Sequence, residues 1–372
     1  MWRPILSVSL TILCGVALSV EAQAPARPTA SPAVSATPTV TPSPSPDGPL
    51  DTLSESDLQQ ALDFIKKNYV TPATLTPAEV DRATLAGLID RLGRGVTLLN
   101  PRTTKSEPSP APFYREVIAN HIGYLRPGAL RKNDLADLDN ALHLFAGKKV
   151  DAIVLDLRAA DEAQDYATTA ELAKRFVPKG QPLFAVRGPA KQMHVFTSDR
   201  NPDYAGFVIV LIDRETAGAA EVLASVLHVR DKAILVGEDT AGGAVGYSDL
   251  PLPGGMTLRV ATEEAVMGDQ RIGFPKGVQP DLPVAMPMAH KREIFSQSLT
   301  KGMAQFIFEN DRPHLNEAAL LAGTNPEIEA IQSAQERRAR GEKPPLHDPV
   351  VQRAVDVITS IGVYEKQPER SP

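Results

Sequence analysis

The chain has 372 residues, 42% of them apolar, which allows one large domain or two with a sizeable core. Its 39 basic residues against 45 acidic ones leave a net charge of −6, and no basic run marks a phosphate-binding patch, which argues against a nucleic-acid partner. The single cysteine, Cys14, excludes a disulfide framework and any Cys-based metal site in the folded part.

Met1-Trp2-Arg3 supplies a positive start, and Ile5 to Val20 is apolar with only Ser, Thr, Cys and Gly interruptions. Small residues around Ala22 then predict a secretory signal peptide over residues 1–22, with membrane contact only if that segment is not removed. Leu13 before Cys14 is not the small residue that lipid attachment needs. Export to the periplasm or cell envelope, or secretion, is the expected localisation. Residues 23–50 are rich in Pro, Ser and Thr, as in Thr41-Pro42-Ser43-Pro44, and predict an extended linker.

A small helical subdomain is expected over 51–99. Ser54-x-x-Asp57 resembles a capping box, after which Leu58, Ala61, Leu62 and Ile65 share one face. Thr76-Pro77 opens a second helix that Gly93 is placed to end, with Val80, Ala83, Leu88 and Leu92 along it. These apolar faces predict docking on the main body. A Pro-rich break follows over Asn100 to Pro112.

From Val117 strands and helices alternate. Strands are expected at Ile122–Leu125, Val150–Leu157, Phe207–Ile212, Ala233–Gly237 and Thr257–Ala261, with a hairpin of Leu183–Val186 and His194–Phe196. Helices are expected through Leu135–Phe145, Ala170–Phe176 and from Ala219. This is an α/β pattern over residues 113–300. Residues 301–372 read as a helical tail with a last amphipathic segment at Val350, Val351, Ala354, Val355 and Ile358.

Few residues carry a chemical signal by spacing. The seven histidines are scattered with no i, i+4 pair, so no metal site is expected. Glu238-Asp239 and Asp161-Glu162 read as solvated loop acids, and Gly242-Gly243 and Gly254-Gly255 lack the context of a phosphate loop. Thr216, Ser225 and Ser248 are weak nucleophile candidates, because no base is signalled near them. Ser248 reads as a loop residue, and Arg158 as pairing locally with an acid. No cofactor is expected.

Read together, the pieces resemble the C-terminal processing peptidases, or tail-specific proteases, and their tricorn-type relatives. The resemblance rests on Ile122-Gly-Tyr-Leu125, Val150–Arg158 ending in Asp-Leu-Arg, Val210–Glu221, Leu235–Gly243 and Gly277-Val-Gln-Pro-Asp281 in that order over residues 117–285. It implies a ClpP/crotonase-like core of ββα units and a serine whose general base is a desolvated lysine. Placed position by position, the serine falls on Gly218, the lysine on Gly243 and the glutamine that orients it on Tyr247. The oxyanion-binding loop falls on Ala160-Asp161-Glu162-Ala163, which lacks the family's glycines, and the break at 100–112 leaves no room for the family's PDZ domain.

The resemblance therefore implies a peptidase fold without its serine–lysine chemistry, binding polypeptide or an envelope partner. Two alternatives stand beside it: a serine-type peptidase using other residues, and a structural envelope protein that uses its helical tail as a contact surface. Gly218 itself also reads as a helix N-cap, with Glu221 three residues on favouring the helix start.

Overall fold

The computed structural model describes residues 49–100, 111–160, 164–307 and 346–365. The expected signal segment, nearly all of the linker, most of the Pro-rich break, Asp161–Ala163 and much of the tail lie outside them. The chain divides into units of residues 1–52 and 53–372. Of the first, one 3-10 turn, Pro49–Thr52, is described; the remaining described elements all belong to the second.

Helix α1 (Glu55–Asn68) begins as its capping box predicts. Ser54 Oγ accepts the Asp57 N–H at 3.3 Å, and Asp57 Oδ2 accepts the Ser54 N–H at 3.0 Å. Helix α2 (Pro77–Leu92) has Thr76 as N-cap and ends at Gly93, whose φ of +51° suits a residue without Cβ. The expected docking of these two helices is corrected: neither buries a residue. What joins them to the body is a strand. The 3-10 turn Gly93–Gly95 leads into β1 (Val96–Leu99), paired antiparallel with a long strand of a sheet, Val96 opposite Val260.

In chain order there follow β2 (Tyr114–Ile118), β3 (Ile122–Arg126), α3 (Lys132–Lys148), β4 (Ala152–Asp156), α4 (Tyr166–Ala173), the hairpin β5 (Pro182–Arg187) and β6 (Met193–Thr197), β7 (Phe207–Ile212), α5 (Ala219–Arg230) and β8 (Ile234–Gly237). Then come β9 (Val245–Pro251), β10 (Thr257–Met267), the two-residue strands β11 (Gln270–Arg271) and β12 (Leu282–Pro283), α6 (Met288–Lys301) and α7 (Pro349–Glu365). The α/β expectation holds, and β2, β3 and α3 form a ββα unit. Ser248 is corrected from loop to strand: it lies in β9, opposite Val260 of β10.

Two sheets result. The first runs β12-β8-β7-β4-β3-β2, parallel except for β2 at its edge. The second is antiparallel, with β10 at its centre flanked by β9 on one side and by β1 and β5 on the other, and β6 as outer strand. Alternation along the parallel strands sends Ile153, Leu155, Val208 and Val210 into one apolar layer with α3, α4 and α5. Val154, Ile209, Leu211 and Val236 face a second layer built with α6 and α7. Val350, Val351, Ala354, Val355 and Ile358 are buried in that layer. The last helix is thus packed on the core through this face and does not stand apart from it as the expected tail would.

Buried charges fix this second layer. Arg158 does pair with the local acid Asp156, through Nε–Oδ1 at 2.9 Å and Nη2–Oδ2 at 2.7 Å, and it also reaches Asp348 at 2.9 and 3.2 Å. Asp348 in turn accepts the Val350 and Val351 N–H groups at 3.0 Å each, capping α7. Tyr124 donates its hydroxyl to Asp156 at 2.6 Å. Burial works against the ionised Asp156 carboxyl, but the Arg158 charge and hydrogen bonds outweigh it and hold the group below the usual carboxylate range.

Replacing Arg158 leaves two buried carboxylates facing each other without their cation. Arg158→Met is therefore expected to cost about 3–5 kcal/mol, read as a lowered urea midpoint. A second prediction concerns Asp231 at the end of α5. Its Oδ2 has no hydrogen-bond partner, and burial pushes its carboxyl up to about 7 from 3.8. Between these values the folded state binds a proton that the unfolded state has lost, so stability falls as pH rises from about 4 to 7. Asp231→Asn should raise the urea midpoint at pH 8 and flatten that slope; an unchanged slope would refute the assignment.

Candidate functional site

The apolar strand β7 ends at Asp213, where the turn is built from reciprocal hydrogen bonds. Asp213 Oδ1 accepts the N–H groups of Glu215 at 2.9 Å and Thr216 at 3.2 Å, while Thr216 Oγ1 accepts the Asp213 N–H at 3.0 Å. The chain then reaches Gly218 at φ +57°, ψ −120°, and enters α5. This is a sharp strand-to-helix turn of the kind that lifts a nucleophile to a helix start. Gly218 caps the helix, as the sequence predicts, and has no side chain to present.

Glu221, three residues into this turn, is fully buried in an otherwise apolar helix stretch. Its Oε2 accepts the N–H of Gly218 at 2.9 Å and of Gly243 at 2.6 Å. Its Oε1 accepts the Gly242 N–H at 2.6 Å and the Thr240 hydroxyl. Thr240 Oγ1 accepts the Val278 N–H at 2.7 Å, so its own proton is free for Glu221. Burial pushes the Glu221 carboxyl above its ordinary range, against the pull of these donors. One carboxylate thus binds together the turn at Gly218, the loop after β8 and the segment around Val278.

The loop after β8 is also tied down by Ala241, whose N–H donates to Thr216 O at 2.9 Å. Gly242, at φ +76°, passes so close to Pro275 that a Cβ would lie 2.2 Å from its carbonyl oxygen. Gly218 and Gly243, predicted as the serine and lysine positions, are therefore brought to one carboxylate through their backbones. Tyr247 is not. It lies in β9, with its phenol donating to Arg94 O at 3.1 Å and its ring 5.8 Å from the Arg259 guanidinium carbon.

The other candidates fall into structural roles. Thr216 is buried in the turn hydrogen bonds, and Ser248 Oγ meets Thr262 Oγ1 at 2.9 Å across β9 and β10. Ser225 is half-buried on α5. Glu238 pairs with Arg214 at 3.0 Å. Among the described residues, no group of three or more His, Cys, Asp or Glu could hold a metal ion. Ala160 is buried, while Asp161–Ala163 of the oxyanion position lie outside the described residues.

Lys291 on α6 is a residue that sequence reasoning missed. It is buried, and its Nζ donates to Arg158 O at 3.0 Å, to Glu215 Oε2 at 2.8 Å and to Asp213 Oδ2. Held by two carboxylates, it ties the turn to the end of the Asp-Leu-Arg strand. Burial opposes the Glu215 carboxylate, but Lys291 and Arg292 outweigh it and keep the group below its ordinary range. Periodicity could not flag Lys291, which reads as a surface residue of a polar helix. Beside this turn, at the carboxyl ends of β7 and β8, an open cleft of about 730 Å³ is lined by Arg94, Arg214, Glu238, Asp239, Ala241 and Val284, among others.

If Glu221 is the tie between these loops, Glu221→Ala leaves three buried N–H groups without an acceptor. The expected cost is about 3 kcal/mol or more by urea unfolding. Glu221→Gln, which turns an amide donor toward those N–H groups, should also destabilise, by about 2 kcal/mol.

Residues 121–284 match the model of Peptidase family S41, over the same stretch that carries the five motifs. The carboxyl-terminal-processing protease of Synechocystis sp. is 27% identical over 175 residues, covering 47% of this chain and 40% of the relative. The carboxy-terminal processing protease CtpA of Bacillus subtilis is 23% identical over 175 residues, covering 47% and 37%. The matched stretch thus spans less than half the length of these relatives. Among solved structures, the photosystem II D1 C-terminal processing protease aligns with a TM-score of 0.41 at 20% identity, over 56% of this chain and 53% of that one.

Proposed function

Residues 121–284 belong to peptidase family S41, and on that premise we propose that this chain is a pseudopeptidase: an exported protein of the periplasm or cell envelope that binds polypeptide without cleaving it. The observation that carries this reading is the state of the two reactive positions. At Gly218 the sharp turn is formed but carries no hydroxyl. At Gly243 there is no amine, and the backbone N–H is given to Glu221. A serine–lysine mechanism needs both a nucleophile and a base that can take its proton. Thr216, the nearest hydroxyl along the turn, is buried and committed to the turn's own hydrogen bonds.

What the turn retains is rigidity. The Glu221 clamp and the Lys291 tether hold the loop ends, and the cleft beside them lies where open α/β sheets receive ligands. An extended polypeptide lying there would be held by backbone hydrogen bonds and left intact.

Purified protein is expected to show no labelling by a serine-reactive fluorophosphonate and no casein cleavage above a blank. Cleavage that persists after contaminating proteases are removed would sink the proposal in favour of an active peptidase using other residues. The converse variant, Gly218→Ser with Gly243→Lys, should gain fluorophosphonate labelling if the cleft still forms. Export is tested by N-terminal sequencing of protein from the envelope fraction, which is expected to begin at Gln23.

A further inference from the structure

A second cavity, of about 770 Å³, lies in the antiparallel sheet, outside the cleft beside the Gly218 turn. It opens where a strand position is interrupted. On one side of β10, β1 pairs with Thr257–Val260 and β5 with Glu264–Val266, so Ala261–Glu263 pair with neither. The register of β9 on the other side shifts at the same point, between Ala261 and Glu263. Ala261, Thr262 and Glu263 all line the cavity.

Charge is unevenly committed around it. Arg187 of β5 reaches Glu264 Oε1 through Nε at 2.8 Å and Nη2 at 2.6 Å, and Arg271 of β11 reaches Glu264 Oε2 through Nε at 2.7 Å. One carboxylate thus holds two guanidinium groups, and each keeps further N–H donors. Lys191 and Glu263 also line the cavity, and their side chains enter no ion pair or hydrogen bond among the described residues. Arg187, Lys191 and Arg271 against Glu263 and Glu264 leave one positive charge in excess.

The backbone sets where these unpaired charges stand. Lys191 is at the tip of the β5–β6 hairpin, where it and Ala190 both take left-handed angles (φ +60° and +57°) that a residue with a Cβ adopts at a cost. Glu263 lies over Gly246, where a Cβ would come within 2.8 Å of its Oε2. Ala190, Val245, Ala261 and Phe274 supply the apolar part of the lining.

We propose that this cavity is a subsite for an acidic side chain of a bound polypeptide, its carboxylate held by Lys191 and by donors that Glu264 leaves on Arg187 and Arg271. The inference rests on the reading that the chain binds polypeptide, and adds which kind. A volume of about 770 Å³ admits a side chain together with the backbone that carries it. A single excess positive charge suits a monoanionic carboxylate better than a phosphate dianion. The cavity also adjoins the clamped loop: the first cleft reaches Ala241 and this one Val245. Those four residues span at most about 14 Å, so one extended segment is long enough to enter both.

Two fluorescein-labelled pools of random heptapeptides, uncharged elsewhere and amidated at the C-terminus, test this by fluorescence anisotropy with the purified protein. One pool carries Glu and the other Gln at the centre, so a side-chain carboxylate is their only systematic difference. The Glu pool is expected to bind about 10-fold more tightly at about 50 mM salt, with the difference shrinking towards about 500 mM. Lys191→Glu should abolish the preference, and Glu263→Gln should enlarge it by about 3-fold. Both side chains lack partners, so neither change should move the urea midpoint. Equal binding of the two pools would overturn the acidic subsite and leave polypeptide binding standing. A preference indifferent to both substitutions would also overturn it, because the acid would then be read elsewhere. Binding of neither pool up to about 1 mM would overturn the subsite together with the reading it rests on.

Discussion

A single carboxylate with no access to water organises the loops at one end of the parallel sheet. Glu221 receives three backbone N–H groups and one hydroxyl from segments that lie far apart in sequence. A buried ionisable group is costly unless its hydrogen-bonding capacity is met, and here the cost is what makes the arrangement unique. Other loop paths would leave either the acid or the amides unpaired. The turn at Gly218 and the loop at Gly243 therefore cannot drift apart while the protein is folded.

The opposite layer uses charge in a similar way but over longer range. Arg158 at the end of the Asp-Leu-Arg strand holds Asp156 and Asp348, and its backbone oxygen receives Lys291. Lys291 then reaches Asp213 and Glu215 at the start of the turn. The two networks meet at residues 213–221, one approaching from α6 and one from the loop after β8. The rigidity of the turn around Gly218 comes from these buried groups, Glu221 on one side and Lys291 on the other.

How much of this was legible in the sequence depended on the range of the interactions. Ser54 and Asp57 are three residues apart, so their capping box could be read directly, as could the apolar runs of β4 and β7. The strand β9 could not: Val245–Pro251 contains Gly246, Ser248 and Asp249, and its pairing with β10 is set by the long partner strand. Gly218 and Gly243 could be placed by resemblance, but nothing local indicated that both would donate to Glu221. The same holds for the final helix. Its amphipathic pattern was visible, yet whether it covers the core or stands apart rests on Arg158 and Asp348, 190 positions away from one another. For α1 and α2 the pattern misled in the other direction, since an apolar stripe records that burial is wanted and not against what.

The distance between Arg158 and Asp348 also bears on when this protein can fold. The sheet is assembled from strands complete by residue 283, but the face that α6 begins to cover is not fully covered until α7 is available. During synthesis the strands would emerge well before the helix that shields them, and a half-covered parallel sheet is an aggregation-prone intermediate. The last helix therefore completes the layer that the earlier elements only begin, and residues 348–358 close the fold at the very end of the chain's emergence.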